Sequence, residues 1–193
     1  SAHNISHNLG VAPELMILKQ RDGVGNWLVY SNPTTAQKYG FLHTTSAFVD
    51  DSDSPLYFAD TEPTSTTFRV GTGLAVNQNN KHHIAYLFAS VDGISKVGSY
   101  TGTGSTLNID CGFSSGARFV LLKRTDGADD WWLYDSVRGI SANNDPYLQL
   151  NEGSANITST NYVSALSSGF TINSNAPSTI NGNGGTYIFL AIA

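Results

Sequence analysis

The sequence has little of several things. It holds one cysteine, Cys111, and one methionine in 193 residues, and only 13% of its side chains are charged. No apolar run approaches the roughly 18 residues that a bilayer span needs. A lone thiol forms no internal disulfide, which excludes a disulfide-stapled scaffold and makes the fold independent of redox state. Ten Lys and Arg stand against 15 Asp and Glu, for a net charge of -5. Nucleic acids and anionic lipids are held by clustered cations, so neither a nucleic-acid partner nor membrane insertion is expected. Ser1-Ala2-His3-Asn4 carries no basic region followed by an apolar one, so it is not a signal peptide and reads as a cut made within a longer polypeptide.

In place of charge there are turn formers: Gly, Ser, Thr and Asn fill 76 positions. With 40% hydrophobic residues the chain can bury a core without staples. Its main feature is an internal repeat. Pro13 to Lys19 (PELMILK) matches Ala117 to Lys123 (ARFVLLK) at an offset of 104, and Asp22, Gly23, Trp27 and Tyr30 fall on Asp126, Gly127, Trp131 and Tyr134 at the same offset. At the far end His83 to Ala89 falls on Tyr187 to Ala193, again at 104, while Phe68 to Val70 meets Phe170 to Ile172 at 102. A period this long is a domain rather than a solenoid repeat. The expected organisation is a first unit over 1–89, a connector and first strand over 90–109, and a second unit over 110–193. Gly98 to Gly104, the strand ahead of the second copy, has no counterpart ahead of the first.

Leu15 to Leu18 and Phe119 to Leu122 are apolar runs too short for helices, so they read as central strands. Each is followed by Asp-Gly, which tolerates positive φ and favours a hairpin into Trp27 to Tyr30 or Trp131 to Tyr134. Phe68 to Val70, Phe170 to Ile172, Ile84 to Phe88 and Tyr187 to Ala193 read as further strands, and no window has helical period. The expected fold class is all-β, with two repeated antiparallel sandwich units. Two units side by side and one larger fused sandwich fit the length equally.

Catalytic and metal signatures are weak. Adjacent strand residues His82 and His83 point to opposite faces and cannot share a metal. Asp51 to Glu62 has the length of an EF-hand loop, but Pro55 and Leu56 occupy positions that exclude it; Asp50, Asp51, Asp53 and Asp60 read first as a solvated acidic loop, with a calcium site of a β-domain as the alternative. A carboxylate pair for glycoside hydrolysis could be drawn from Asp126, Asp129, Asp130, Asp135 and Glu152. The first copy replaces Asp129, Asp130 and Asp135 with Gly25, Asn26 and Ser31, and Asp126 is explained by its turn. No catalytic residue, metal or cofactor is assigned. The aromatics speak more clearly. Trp27 and Trp131 are expected to be equivalent and buried, whereas Trp132, which is Leu28 in the first copy, is free to differ and reads as a surface platform for a sugar ring. The candidate binding site is Trp132, Tyr134, Asp135 and Arg138.

Taken in order, Gly98 to Gly104, Gly112-Phe113, Ala117 to Asp126, Trp131 to Asp135, Ser168-Gly169-Phe170 and Gly185 to Ala191 resemble the tandem β-domain found near the ends of tail-fibre and other large virion proteins of bacteriophages, especially marine ones. The likeness covers nearly the whole chain and rests mainly on the second copy, since the first departs at Gln20-Arg21 and Leu28. It implies a location in the virion, a homo-oligomer with a trimer favoured, contact with other virion proteins, and contact with a host-surface glycan. It carries no catalytic signature. A polysaccharide depolymerase and a head-decoration or assembly module without a ligand are the alternatives.

Overall fold

The computed structural model describes residues 1–140 and 144–193. Strands hold 39% of residues and helix 6%, so the fold is all-β. The chain divides after Ala89 into two compact units, Ser1–Ala89 and Ser90–Ala193.

In unit 1 the elements are β1 (His3–Ser6), β2 (Leu15–Gln20), β3 (Trp27–Ser31), β4 (Lys38–Phe41), β5 (Val49–Asp50), β6 (Thr67–Val70), the one-turn helix α1 (Leu74–Asn77) and β7 (His83–Phe88). They form an antiparallel five-stranded sheet in the order β5-β4-β3-β2-β7 and a two-stranded sheet β1-β6. Alternation sends Met16 and Leu18 of β2 and Leu28 and Tyr30 of β3 to one face, where they meet Phe68 and Val70 of β6, Phe58 and Val76. The core therefore lies between the two sheets.

Unit 2 contains β8 (Ser95–Thr101), β9 (Leu107–Asp110), β10 (Phe119–Arg124), β11 (Trp131–Asp135), β12 (Tyr147–Gln149), β13 (Val163–Leu166), β14 (Gly169–Ile172), α2 (Ser178–Asn181) and β15 (Thr186–Ile192). Its sheets run β12-β11-β10-β15-β8 and β13-β14-β9, all antiparallel. Val120, Leu122, Trp132, Tyr134 and Phe189 of the first pack on Ile109, Val163, Phe170 and Ile172 of the second.

The pairings of the central strands in the two units run at one offset. Ile17 faces Val29 and Tyr86; Leu121 faces Leu133 and Leu190. Each partner number differs by 104, and so do the bounds of α1 and α2. Two details differ from the sequence reading. No residue of either hairpin loop, 21–26 or 125–130, has positive φ, so the Asp-Gly pairs act otherwise than by left-handed turns. Trp131 is buried at 1% exposure, but Trp27 is only half-buried, on the face of its sheet away from the core, with the Lys19 ammonium 5.9 Å from its ring centre.

Candidate functional site

The four candidate residues lie on β11 and the loop after it, but the proposed platform faces inward. Trp132 is 5% exposed and Tyr134 is fully buried. Alternation puts both on the core face, with Leu122 and Val120 as their partners on β10. The Trp132 ring centre lies 4.3 Å from that of Tyr147 on β12 and 6.4 Å from that of Tyr162. A sugar cannot stack on a ring already covered by tyrosines, so the surface-platform reading of Trp132 and Tyr134 is corrected. Leu28 and Tyr30 do the same structural work in unit 1.

Asp135 and Arg138 stay at the surface, tied to each other. Asp135 Oδ1 accepts the backbone N–H groups of Val137 and Arg138, at 3.0 and 2.8 Å, while the Arg138 guanidinium donates to Asp135 Oδ2. The carboxylate thus caps its own turn, the usual work of Asp in such a position.

Sequence reasoning missed a buried polar layer around these residues. Asp145 is inaccessible to solvent, and its Oδ2 accepts the N–H groups of Tyr162 at 2.7 Å and Val163 at 2.6 Å. Burial pushes its carboxyl above the ordinary range, against the pull of those two N–H groups. Burial, and next the charge of Asp145, push the Tyr134 hydroxyl well above 10. Unit 1 differs: Tyr30 donates to Glu62 Oε2 at 2.5 Å and Glu62 Oε1 accepts the Ala36 N–H at 2.7 Å, whereas the Tyr134 hydroxyl and Asp145 Oδ1 are buried without a hydrogen-bond partner among the described residues. Glu62 and Asp145 occupy unrelated sequence positions in long polar loops, so no periodicity could have found them.

The lysine ending each central strand is the other missed group, although its presence in both copies of the apolar run was a visible signal. Lys19 Nζ donates to the Gly25 carbonyl at 2.9 Å, and Lys123 Nζ donates to the Asp129 carbonyl. Each ties the end of its central strand to a carbonyl of its own hairpin loop. The turn aspartates complete the tie: Asp22 Oδ2 accepts the His82 N–H at 2.8 Å and meets His82 Nδ1 at 2.6 Å, while Asp126 pairs with Arg124 Nε at 2.8 Å. Lys123 is wholly buried, and desolvation pushes its ammonium down to about 8 despite Asp129 and Asp130 nearby. A lysine depressed in the folded state holds its proton less tightly there than in the unfolded chain, where it titrates near about 10.4. Between those values the unfolded chain binds more protons, so stability rises with pH. Urea titrations from pH 8 to 10 should show this rise, and Lys123→Met should remove roughly 1–3 kcal/mol of it. Parent and variant with parallel pH profiles would contradict the assignment.

Cys111 is buried, and burial pushes its thiol up to about 11, so little reactive thiolate exists at neutral pH. No group of three or more His, Cys, Asp or Glu among the described residues is placed to hold a metal ion. No helix among them is long and apolar enough to cross a membrane. In unit 1 a groove of about 660 Å³ runs between β1, β7 and α1, with a floor of Ile5, Leu18, Phe68 and Val76 and a polar rim that includes Arg21, Lys81 and His82.

A family model described as a domain of unknown function, DUF7483, matches residues 1–193, and the chain belongs to that family. No curated protein and no solved structure matches the chain.

Proposed function

We propose that this member of the DUF7483 family is a non-enzymatic structural module of a bacteriophage virion, of the tail-fibre kind, that works as a homo-oligomer and contributes to recognition of a host-surface glycan. The observation that carries the reading is the tandem arrangement. Two all-β units whose central-strand pairings run at one offset of 104 are what the resemblance to tandem virion β-domains leads one to expect. We read the two units as copies of one module.

With Trp132 and Tyr134 in the core, the glycan contact moves to the loops, where β-sandwiches carry function. Loop 21–26 exposes Val24 completely, and the turn after β11 exposes Val137 at 92% beside the Asp135–Arg138 pair. Small exposed loops of this kind give weak single sites, millimolar to micromolar, or about -4 to -8 kcal/mol. A fibre presents several at once and gains avidity from the repetition.

The test is binding of the isolated chain, and of a form trimerised through a fused coiled coil, to host cells and to purified envelope polysaccharide. The trimer is expected to bind about 100-fold or more tightly than the monomer. Absence of binding by both forms would overturn the receptor reading in favour of an assembly module.

A further inference from the structure

In unit 2, β8 completes the sheet beside β15, with Tyr100 facing Tyr187, Gly98 facing Phe189 and Lys96 facing Ala191. Tyr100 points inward. Its ring stacks on Tyr187 at 4.8 Å and 9°, and its hydroxyl donates to the Ile180 carbonyl of α2 at 2.7 Å. Beside this strand Tyr187, Phe189 and Ala191 are buried, and so is Ile109 of β9.

In unit 1, β2 pairs with β3 and β7 in the register that β10 takes with β11 and β15. β7 ends its sheet, and no strand among the described residues pairs with its outer edge. The residues at the offset of 104 from the buried set, His83, Ala85, Leu87 and Ile5, are only half-buried, and all four line the 660 Å³ groove. His83 Nε2 is buried with no hydrogen-bond partner. Its counterpart, the Tyr187 hydroxyl, is fully engaged, donating to the Ser178 carbonyl at 2.7 Å and accepting the Gly182 N–H at 2.8 Å. An open sheet edge beside an apolar groove is the form that strand addition requires.

We propose that the β7 edge and this groove are an acceptor site for one extended strand, antiparallel to β7, that seats a hydroxyl-bearing aromatic side chain against His83 beneath α1. The occupant is a strand joined to β1 by a link as short as residues 102–106, which join β8 to β9. β1 takes the place of β9 in the pairing, with Ile5 facing Phe68 as Ile109 faces Phe170. Val76 of α1 stands at the offset from Ile180, so its carbonyl is the acceptor for the aromatic hydroxyl. The site differs from that of unit 2 in one respect that shapes its specificity. A Cβ on Gly98 would come within 2.6 Å of the Phe189 ring, which restricts that strand position to glycine. Ala85 replaces Phe189 in unit 1, so the residue facing it has room for a side chain. The occupant is therefore an apolar residue two positions ahead of a tyrosine, in extended conformation. This inference does not rest on the virion reading.

The test appends a copy of residues 95–106 ahead of Ser1 and follows amide hydrogen exchange by NMR. Exchange of the β7 amides is expected to slow by about tenfold or more, and Tyr100→Asp in the appended copy alone, with unit 2 untouched, should reverse the effect. Exchange unchanged by the extension, or slowed equally by the extension carrying Tyr100→Asp, would overturn the proposal. Concentration-dependent protection of β7 in the unextended chain would overturn it too, and assign the edge to a second copy.

Discussion

Trp132→Ala is expected to destabilise the second unit by about 3–5 kcal/mol while leaving any glycan affinity per folded molecule unchanged. The side chain is 5% exposed and its ring touches Tyr147, Tyr134 and Tyr162, so alanine leaves a cavity walled by aromatic rings that rotate little. Interiors packed like crystals do not close such a space, and both the lost transfer energy and the lost dispersion contacts remain as a cost. Trp132→Phe retains most of the ring and should cost less than half as much. Chemical denaturation separates the alternatives: an alanine variant within about 0.5 kcal/mol of the parent would restore Trp132 to the surface.

Asp145→Ala should cost about 3 kcal/mol, because it strips the acceptor from two N–H groups at once, the buried one of Val163 and the part-buried one of Tyr162. Asp145→Asn keeps an oxygen in place and should cost much less. Asp145 also gives the protein an acid-side signature. Its folded carboxyl is raised, so the native state holds that proton more tightly than the unfolded chain does. Its contribution is greatest below the ordinary carboxylate range and declines as pH rises through the raised value. In Asp145→Asn that decline disappears; a variant retaining the parent's acid profile would show that another carboxyl is responsible.

The central strands, both hairpins and the terminal strands were legible because a short apolar run flanked by charge has few other structural uses. Faces were harder. Alternation says that Trp132 and Tyr134 share a side of the strand, but both sides of β11 are aromatic, and only the partner sheet decides which one is the core. Trp27 shows the converse: repetition in sequence at the offset of 104 did not transmit burial, since Trp131 is enclosed and Trp27 is only half covered. β4, β12 and β13 lie in Ser-, Thr- and Asn-rich stretches whose pattern does not separate strand from turn. The lysine ties were half visible, as a charge repeated at the end of a buried strand, but the carbonyls they reach lie across a loop. Glu62 and Asp145 are single acids whose roles come from the phenol and amides folded against them.

Binding and cutting of a surface polysaccharide differ in one observable. The most direct test of a structural, non-enzymatic role is to incubate the chain, alone and trimerised, with purified host envelope polysaccharide and to compare chain lengths by size-exclusion chromatography. Polysaccharide retained by the trimer with its length distribution unchanged is the expected result. Progressive shortening, abolished by Asp or Glu substitution in the chain, would contradict it and make the protein a depolymerase.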